Sequence, residues 1–286
     1  MHIPVMPAES IDLLAVRPDG NYLDVTAGLG GHTALIAQRL ESGIVIANDR
    51  DAESLAVAER NTARWKDRIR FHRGTFSSLA EAVAQAGLEK LDGILADLGV
   101  SYQQLTDPPR GFSFLSDGPL DMRMDQSTGM TAADLVNHTD EKTLADLIYQ
   151  LGEERRARRV ARAIVRARPI RSTLHLADVV LRAVPRTGRL HPATKTFMAL
   201  RMKVNDEPEE LDRLLQIGPN LLKSGGRMVV ISFMSIDDRK VKERFKVLGR
   251  DGRATILTKH PLQPSEEETA GNPAARSAKL RALELN

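Results

Sequence analysis

A short apolar segment that is followed closely by three glycines constrains the fold of this chain more than any other feature. Leu23-Asp24-Val25 reads as a buried strand, Gly28, Gly30 and Gly31 follow it, and a helical pattern begins at once. Glycine can adopt a positive φ and lets the backbone approach a ligand, because it has no Cβ. The pattern is typical of the strand, turn and helix N-terminus at which an α/β sheet holds a nucleotide-like ligand.

One departure narrows the choice of ligand. The third glycine of a dinucleotide-binding G-x-G-x-x-G turn falls at position 33, where this chain has Thr33. Its absence argues against a nicotinamide-dependent oxidoreductase and favours a nucleoside ligand without phosphates, for which S-adenosylmethionine is the candidate. A tight turn without any ligand is the alternative.

Acidic residues follow the next predicted strand. Asp49 comes about twenty residues after Gly28, where an acid that accepts hydrogen bonds from ribose hydroxyls is expected. Asp51 is predicted to cap the helix that begins at Ala52. The glycine turn and Asp49 together predict a site for an adenosine moiety.

Composition excludes several classes of protein. The 286 residues are 42% hydrophobic and include no cysteine, which excludes disulfides and cysteine zinc sites. We see no run of 18 apolar residues, no basic and apolar leader and no acid or histidine cluster at metal spacing. We therefore expect a cytoplasmic protein without a membrane span or a metal site.

Strand and helix patterns alternate over the first hundred residues and again after residue 208. The predicted strands are 22–26, 43–48, 69–73, 92–98, 227–233, 254–259 and 277–285, and the predicted helices between them are 31–41, 52–64, 77–86, 208–222 and 237–248. This order predicts a Rossmann-like α/β domain with a doubly wound, mostly parallel sheet, formed by residues 1–104 and 205–286. Residues 105–204 are predicted to form a mainly helical insertion, and residues 261–275 a surface loop.

Positive charge is concentrated in the predicted insertion. Residues 155–171 contain eight arginines and no acid, and apolar residues between them keep helical spacing. This predicts an amphipathic helix whose arginine face, including Arg158, Arg162 and Arg166, binds RNA phosphates. A solvated helix face is the alternative.

A turn-rich charged segment follows the fourth predicted strand. Asp121, Arg123 and Asp125 alternate with apolar residues, and we expect these charges to pair around a pocket. Phe112 or Phe114 either stacks on an unstacked base or pins the loop. Strand ends also place three further candidates near the ligand: Phe76 against adenine or in the core, Asp97 near the reacting group, and Ser232 near the substrate.

These motifs together resemble a known family, the bacterial S-adenosylmethionine-dependent cytosine-N4 methyltransferases of 16S ribosomal RNA (MraW type). The similar segments are His2–Met6, the glycine turn, Asp49–Asp51, Asp92–Ser101, Arg110–Phe114, Asp117–Asp125, Gly152–Glu154, His191–Thr194, Ala199–Arg201 and Asn272–Arg281. The resemblance implies a class I methyltransferase domain with an inserted helical domain. It also implies cofactor contacts at Gly30, Gly31, His32, Asp49, Phe76, Asp97 and Gln104.

The resemblance also implies a reaction, which is methylation of N4 of a cytidine in the decoding region of the small ribosomal subunit. Asp97 is the first candidate to accept the amine proton, with Asp121 and Asp125 as further candidates. The expected RNA contacts are Arg110, Phe112, Arg123, Arg158, Arg162, Arg166 and Ser232. Met234 stands where the family has histidine. A non-catalytic RNA-binding assembly factor is the rival function, and the sequence leaves a homodimer open.

Overall fold

The computed structural model describes residues 4–186 and 190–286, so His2 and Ile3 of the first family segment lie outside the described residues. The chain divides into two compact units. The first comprises the residues up to Gly99 together with Glu209–Asn286, and the second comprises Val100–Pro208. The second unit contains the predicted insertion, 105–204, and extends a few residues beyond it at both ends.

A seven-stranded sheet forms the centre of the first unit. Its strands are β1 (Tyr22–Asp24), β2 (Val45–Asp49), β3 (Ile69–Arg73), β4 (Leu91–Asp97), β5 (Leu222–Ser232), β6 (Ala254–Ile256) and β7 (Lys279–Leu285). Their order is β3-β2-β1-β4-β5-β7-β6. All neighbours pair in parallel except that β7 runs antiparallel to β5 and β6. The predicted fold class, a doubly wound and mostly parallel sheet, is confirmed.

Thirteen α-helices lie in the described residues. They are α1 (Pro7–Leu14), α2 (Gly31–Arg39), α3 (Ala52–Asn61), α4 (Leu79–Gln85), α5 (Tyr102–Thr106), α6 (Ala132–His138), α7 (Glu141–Gly152), α8 (Ala157–Ala167), α9 (Thr173–Ala183), α10 (Thr194–Val204), α11 (Glu207–Leu221), α12 (Ser235–Arg250) and α13 (Glu266–Gly271).

Helices cover both faces of the sheet because successive strand residues point to opposite sides. Ile46 packs in one apolar cluster with residues of α4, α11 and α12. Its neighbours Val45 and Ala47 pack in another with residues of α1, α2 and α3. Burial on both sides explains why these strands are continuous apolar runs rather than alternating ones.

The second unit has its own core, formed by α6 to α10. Contributors include Leu144 and Ile148 of α7, Val160 and Ile164 of α8, Leu176 and Val180 of α9, and Leu200 of α10. None of the helices in the described part of the chain is long and apolar enough to span a membrane.

Several predicted boundaries are wrong. The arginine helix covers Ala157–Ala167 rather than 155–171, because Pro169 disfavours helical backbone at the residue before it. The segment 261–275 is not all loop. It contains α13, whose N-terminus Ser265 caps by accepting a hydrogen bond from the Glu268 N–H.

Candidate active site

The glycine turn after β1 requires glycine at two positions. Gly28 has φ 49° and Gly30 has φ 88°, both in the left-handed region. A Cβ on Gly30 would lie 2.9 Å from Cγ2 of Thr62 and 3.2 Å from Cα of Ala58 on α3. Gly30 therefore lets the turn pack closely against α3, and Gly31 begins α2 directly after it.

Thr33 has a partner that explains why it replaces the third glycine. Its Oγ1 donates a 2.7 Å hydrogen bond to Oδ2 of Asp24, and both residues are buried. Burial raises the pKa of Asp24 to about 6, although the hydrogen bond from Thr33 opposes the rise. Sequence reasoning missed Asp24, and an acid inside an apolar strand was the available signal.

Asp49 lies at the end of β2 and contacts the glycine turn. Its Oδ2 accepts a 2.8 Å hydrogen bond from the Gly28 N–H, and its Oδ1 accepts one of 2.9 Å from the Asp51 N–H. Burial raises the pKa of Asp49 to about 6 against the effect of these bonds. Asp51 accepts from the backbone N–H groups of Glu53 and Ser54, so its predicted role as helix cap is confirmed.

Asp97 ends β4 beside the same turn. Its N–H donates to Oγ1 of Thr26 at 2.7 Å, and its Oδ2 lies 3.7 Å from Nδ1 of His32. Its Oδ1 is buried and has no hydrogen-bond partner in the described part of the chain. A buried carboxylate oxygen without a partner costs free energy, so it is a candidate functional group. Asp97 and Asp49 thus both lie beside the glycine turn. Two carboxylates at this place are suitable acceptors for the hydrogen-bond donors of a nucleoside cofactor.

The charge state of Asp97 depends on burial and on two neighbouring groups. Burial raises its pKa to about 6, positive charge on His32 lowers it, and the nearby carboxylate of Asp24 raises it. A carboxyl with this pKa is ionised at pH 7 to 8 but binds a proton more strongly than an ordinary aspartate does.

The remaining candidates of the first unit are less distinctive. Phe76 is half-buried in a short turn after β3 and packs against the apolar core. Ser232 is buried, and its hydroxyl lies 3.5 Å from the Lys279 carbonyl oxygen. Met234 is the half-buried residue that precedes α12, and its side chain makes no capping hydrogen bond.

In the charged segment of the second unit, most charged side chains bind partners within the segment itself. Arg123 binds Asp121 through two hydrogen bonds, Nε to Oδ1 at 2.9 Å and Nη2 to Oδ2 at 2.8 Å. Burial would raise the pKa of Asp121, but the hydrogen bonds and charge of Arg123 outweigh it and lower that pKa. Asp125 accepts from the Ser127 N–H and hydroxyl. The predicted pairing of Asp121 with Arg123 is therefore present.

The other candidates from this segment make packing contacts. Arg110 is buried, and its guanidinium donates to the carbonyl oxygens of Arg123 and Met124. Phe112 is buried in the helical core. The Phe114 ring centroid lies 4.8 Å from the ring centroids of His191 and Phe197. Phe112 and Phe114 therefore make the contacts expected of residues that pin the loop, rather than of residues that stack on a base.

Gln104 is buried at the start of α5. Its side-chain Oε1 accepts from the Ser101 N–H, and its own N–H donates to the Ser101 hydroxyl. This capping box orients the side chain, and a cofactor contact from Gln104 stays a prediction.

The exposed face of α8 carries Arg158, Arg162 and Arg166. Arg162 Nε lies 3.3 Å from Oε1 of Glu141 on α7, so the arginine face has an acidic partner at that residue although residues 155–171 contain no acid. This acid lies on the preceding helix, outside residues 155–171. In residues 4–186 and 190–286, no group of three or more His, Asp or Glu side chains is arranged to hold a metal ion.

Comparison with known proteins identifies the family. A sequence profile described as the MraW methylase family matches residues 1–286.

Proteins named ribosomal RNA small subunit methyltransferase H are similar over nearly their whole lengths. The protein from Solibacter usitatus is 76% identical, with 100% of both chains covered. The protein from Acidobacterium capsulatum is 49% identical, with 99% of this chain and 98% of the relative covered. The protein from Koribacter versatilis is 48% identical, with 98% and 93% covered. The predicted resemblance and the predicted cofactor, S-adenosylmethionine, are confirmed, and the chain belongs to the MraW methylase family.

Proposed function

We propose that this protein transfers a methyl group from S-adenosylmethionine to N4 of a cytidine in the decoding region of 16S ribosomal RNA. The observation that carries the proposal is the half-buried carboxylate of Asp97 at the end of β4, of which one oxygen has no hydrogen-bond partner in the described part of the chain. The names of the relatives support a small-subunit RNA substrate. The family resemblance of the sequence supports N4 of cytidine.

The cofactor is held by the edge of the sheet at which β1, β2 and β4 end. The backbone of the glycine turn approaches the ligand, and the carboxylate of Asp49 accepts hydrogen bonds from the ribose hydroxyls. Each Asp49 oxygen already accepts one backbone N–H, and a carboxylate has lone pairs for further donors. His32, Phe76 and Asp97 of the first unit complete the proposed set of contacts, and a contact from Gln104 is implied by the family resemblance alone.

Asp97 supports the chemistry by accepting a proton. The exocyclic amine of cytosine is a weak nucleophile because its lone pair is delocalised into the ring. When bound, S-adenosylmethionine supplies a methyl group that its sulfonium already activates, so alignment of the amine is the main task of the protein. The Asp97 carboxylate accepts a hydrogen bond from N4–H and takes the proton after the N–C bond forms. Asp121 suits this role less well, because Arg123 lowers its pKa.

The second unit recognises the RNA. Arg158, Arg162 and Arg166 recur every four residues on the exposed face of α8, which is suited to contacts with successive phosphates. Arg110, Phe112 and Arg123 already make contacts within their unit, so the α8 arginines are the stronger candidates. The target base leaves its stack to reach Asp97. A ribosomal RNA substrate also implies a cytoplasmic reaction.

Identification of the product tests the proposal. The protein is incubated with labelled S-adenosylmethionine and either small ribosomal subunits or naked 16S RNA, both lacking the modification. Nucleosides from the digested RNA are then separated and identified. We expect label in N4-methylcytidine, mapped to the decoding region. Label on carbon five of the base or on a ribose hydroxyl, with none on N4, contradicts the proposal. RNA binding without any transfer favours the assembly-factor function.

A further inference from the structure

A lysine begins β7 at the edge of the sheet where Asp97 lies. Because β7 runs antiparallel to β5, its first residue, Lys279, pairs with Ser232, the last residue of β5. Because β5 runs parallel to β4, Ile231 pairs with Asp97. Lys279 and Asp97 therefore lie at the same edge, two strands apart, and a strand spacing of ~4.8 Å puts their backbones roughly 10 Å from each other.

The chain segments that leave β4 and β5 remain in contact. The N–H of Leu98, one residue beyond β4, donates a 2.9 Å hydrogen bond to the carbonyl oxygen of Ile231. A Cβ on Gly99 would lie 3.7 Å from the ring of Phe233, which follows β5. The sheet and these contacts thus fix the position of the Lys279 backbone relative to Asp97.

Lys279 belongs to a cluster of three charged side chains. Arg281, two residues along β7, donates two hydrogen bonds to Asp238 on α12, Nε to Oδ1 at 2.6 Å and Nη2 to Oδ2 at 3.2 Å. Lys279 Nζ lies 3.7 Å from Oδ2 of Asp238, which is an ion pair beyond hydrogen-bond distance. The Arg281 side chain is only 8% exposed, whereas that of Lys279 is 34% exposed.

This cluster carries one more positive charge than negative. Burial would raise the pKa of Asp238, but the hydrogen bonds and charge of Arg281, together with the charge of Lys279, outweigh it and lower that pKa. Asp238 is therefore ionised at neutral pH, and one carboxylate faces two cations. Since Arg281 already binds both carboxylate oxygens, the excess charge lies on the exposed member, Lys279. Its compact ammonium group is suited to a phosphate oxygen.

The strand order indicates which anion Lys279 faces. The glycine turn and Asp49 follow β1 and β2, which lie on one side of β4, whereas β5 and β7 lie on the other side. The proposed cofactor contacts are thus on the side of Asp97 away from Lys279. A nucleotide that leaves its stack and presents its base amine to Asp97 has the β5 and β7 side of this edge available for its sugar and phosphates.

We propose that Lys279 binds a backbone phosphate beside the target base while the base amine lies at Asp97. This inference rests on the proposed function, because it concerns the nucleotide that is methylated there. Lys279 reads no base, since a phosphate contact positions the strand without carrying sequence information. Its contribution is electrostatic and depends on salt concentration, which a packing role does not.

The opposite edge of the same strands offers a matched control. Lys223, near the start of β5, donates to Oδ2 of Asp92 at 2.9 Å, and Arg17 donates to Oδ1 at 2.7 Å. This cluster also combines one aspartate with two cations, and the Lys223 side chain is 44% exposed. It lies at the amino ends of β4 and β5, away from the proposed site.

The salt dependence of RNA binding tests the proposal. Binding of unmodified 16S RNA, naked or in small subunits, whichever binds more tightly, is measured with saturating S-adenosylhomocysteine, which has no methyl group to transfer. For Lys279→Gln we expect affinity to fall by about fivefold to tenfold at about 0.1 M salt. The plot of log affinity against log salt concentration should become shallower by about 0.7–1, as expected for loss of one phosphate contact. Lys279→Arg keeps the charge and should retain the wild-type slope, and Lys223→Gln should change neither quantity.

A wild-type slope in Lys279→Gln would overturn the proposal. Weaker binding of S-adenosylmethionine by calorimetry, with an unchanged RNA slope, would also overturn it, because Lys279 would then bind the carboxylate of the cofactor. Equal slope changes in Lys279→Gln and Lys223→Gln would mean that any exposed cation has the same effect, which contradicts a specific contact.

Two features keep the test decisive. If urea unfolding shows that Lys279→Gln does not fold, Lys279→Met, which keeps the apolar stem, carries the same expectation. The slope is measured without methyl transfer, whereas the identity of the methylated nucleoside decides the proposed reaction. Failure of this inference is therefore distinguishable from failure of the proposed function.

Discussion

Two aspartates of this chain, both candidates for the same role, lie in opposite electrostatic environments. Asp97 ends a strand of the first unit, where burial raises its pKa to about 6 and where Oδ1 has no hydrogen-bond partner among residues 4–186 and 190–286. Asp121 lies in the charged segment of the second unit, where Arg123 binds both of its oxygens and its pKa is lowered. The difference makes Asp97 the better candidate to accept a proton, because arginine does not compensate its charge.

The cations of the second unit show the same contrast. Arg110 and Arg123 bind carbonyl and carboxylate oxygens of their own segment. The Arg158 and Arg166 side chains are exposed on α8, and no ion pair of theirs occurs among the described residues. Arginines that are already bound stabilise a loop, whereas the exposed ones are available to phosphates.

The largest expected effect is on catalysis, through Asp97→Asn. This change keeps the shape of the side chain and removes its capacity to take a proton, so the single-turnover rate should fall by ~100-fold or more. Asp121→Asn is the matched control and should change the rate at saturating cofactor by less than about threefold. Equal losses in the two variants would remove the distinction between the two sites.

Charge reversal on α8 tests the exposed cations. Changing Arg158, Arg162 and Arg166 together to Glu should weaken binding of 16S RNA by ~100-fold or more at moderate salt, because three phosphate contacts become repulsive. The matched control reverses Lys242, Lys246 and Arg250, which are exposed at the same spacing on α12. Filter binding at several salt concentrations checks both. Similar losses of RNA affinity in both triple variants would mean that net charge, and not the α8 face, accounts for the effect.

Cofactor affinity should respond to Asp49 but not to its neighbour. Asp49→Ala removes the proposed ribose acceptor and should weaken S-adenosylmethionine binding by ~2–3 kcal/mol, the scale of hydrogen bonds to a charged group. Asp51→Ala removes the helix cap and should cost about 1 kcal/mol of folding free energy with little change in affinity. Calorimetry on both variants separates these effects, and unchanged affinity in Asp49→Ala would exclude Asp49 from the site.

The sequence was sufficient to predict the fold because its signals are local. Apolar runs bounded by turns located each strand, and alternation with helices predicted the parallel sheet that the structure confirms. The error in the predicted end of α8 also has a local cause. The helix pattern of residues 155–171 continued through Arg168, yet the backbone restriction before Pro169 ends α8 at Ala167.

Contacts between distant residues could not be predicted in this way. Thr33 stood out in the sequence as a missing glycine, but its hydrogen bond to Asp24 depends on how α2 packs beside β1. Glu141 lies 21 residues from Arg162, and Val5 lies 27 residues from His32. No periodic pattern records such pairs, because each forms only after separate elements have packed together.

The pH dependence of stability gives the smallest effect, and its sign distinguishes the two units. The pKa of Asp24 is raised by folding from 3.8 to about 6, so the folded state binds the proton more tightly than the unfolded state does. Its contribution to stability is therefore fully present below pH 4 and is lost as pH rises to 6. Asp24→Asn should match the wild type near pH 4 and be more stable at pH 7.5, by on the order of 2–3 kcal/mol.

Asp121, whose pKa folding lowers, contributes stability above its unfolded pKa and loses it as pH falls, so Asp121→Asn should be less stable at pH 7.5. Urea unfolding of the three proteins at both pH values measures the differences. A destabilised Asp24→Asn at pH 7.5 would mean that the ionised carboxylate stabilises the first unit, and the contrast between the two aspartate environments would not hold for Asp24.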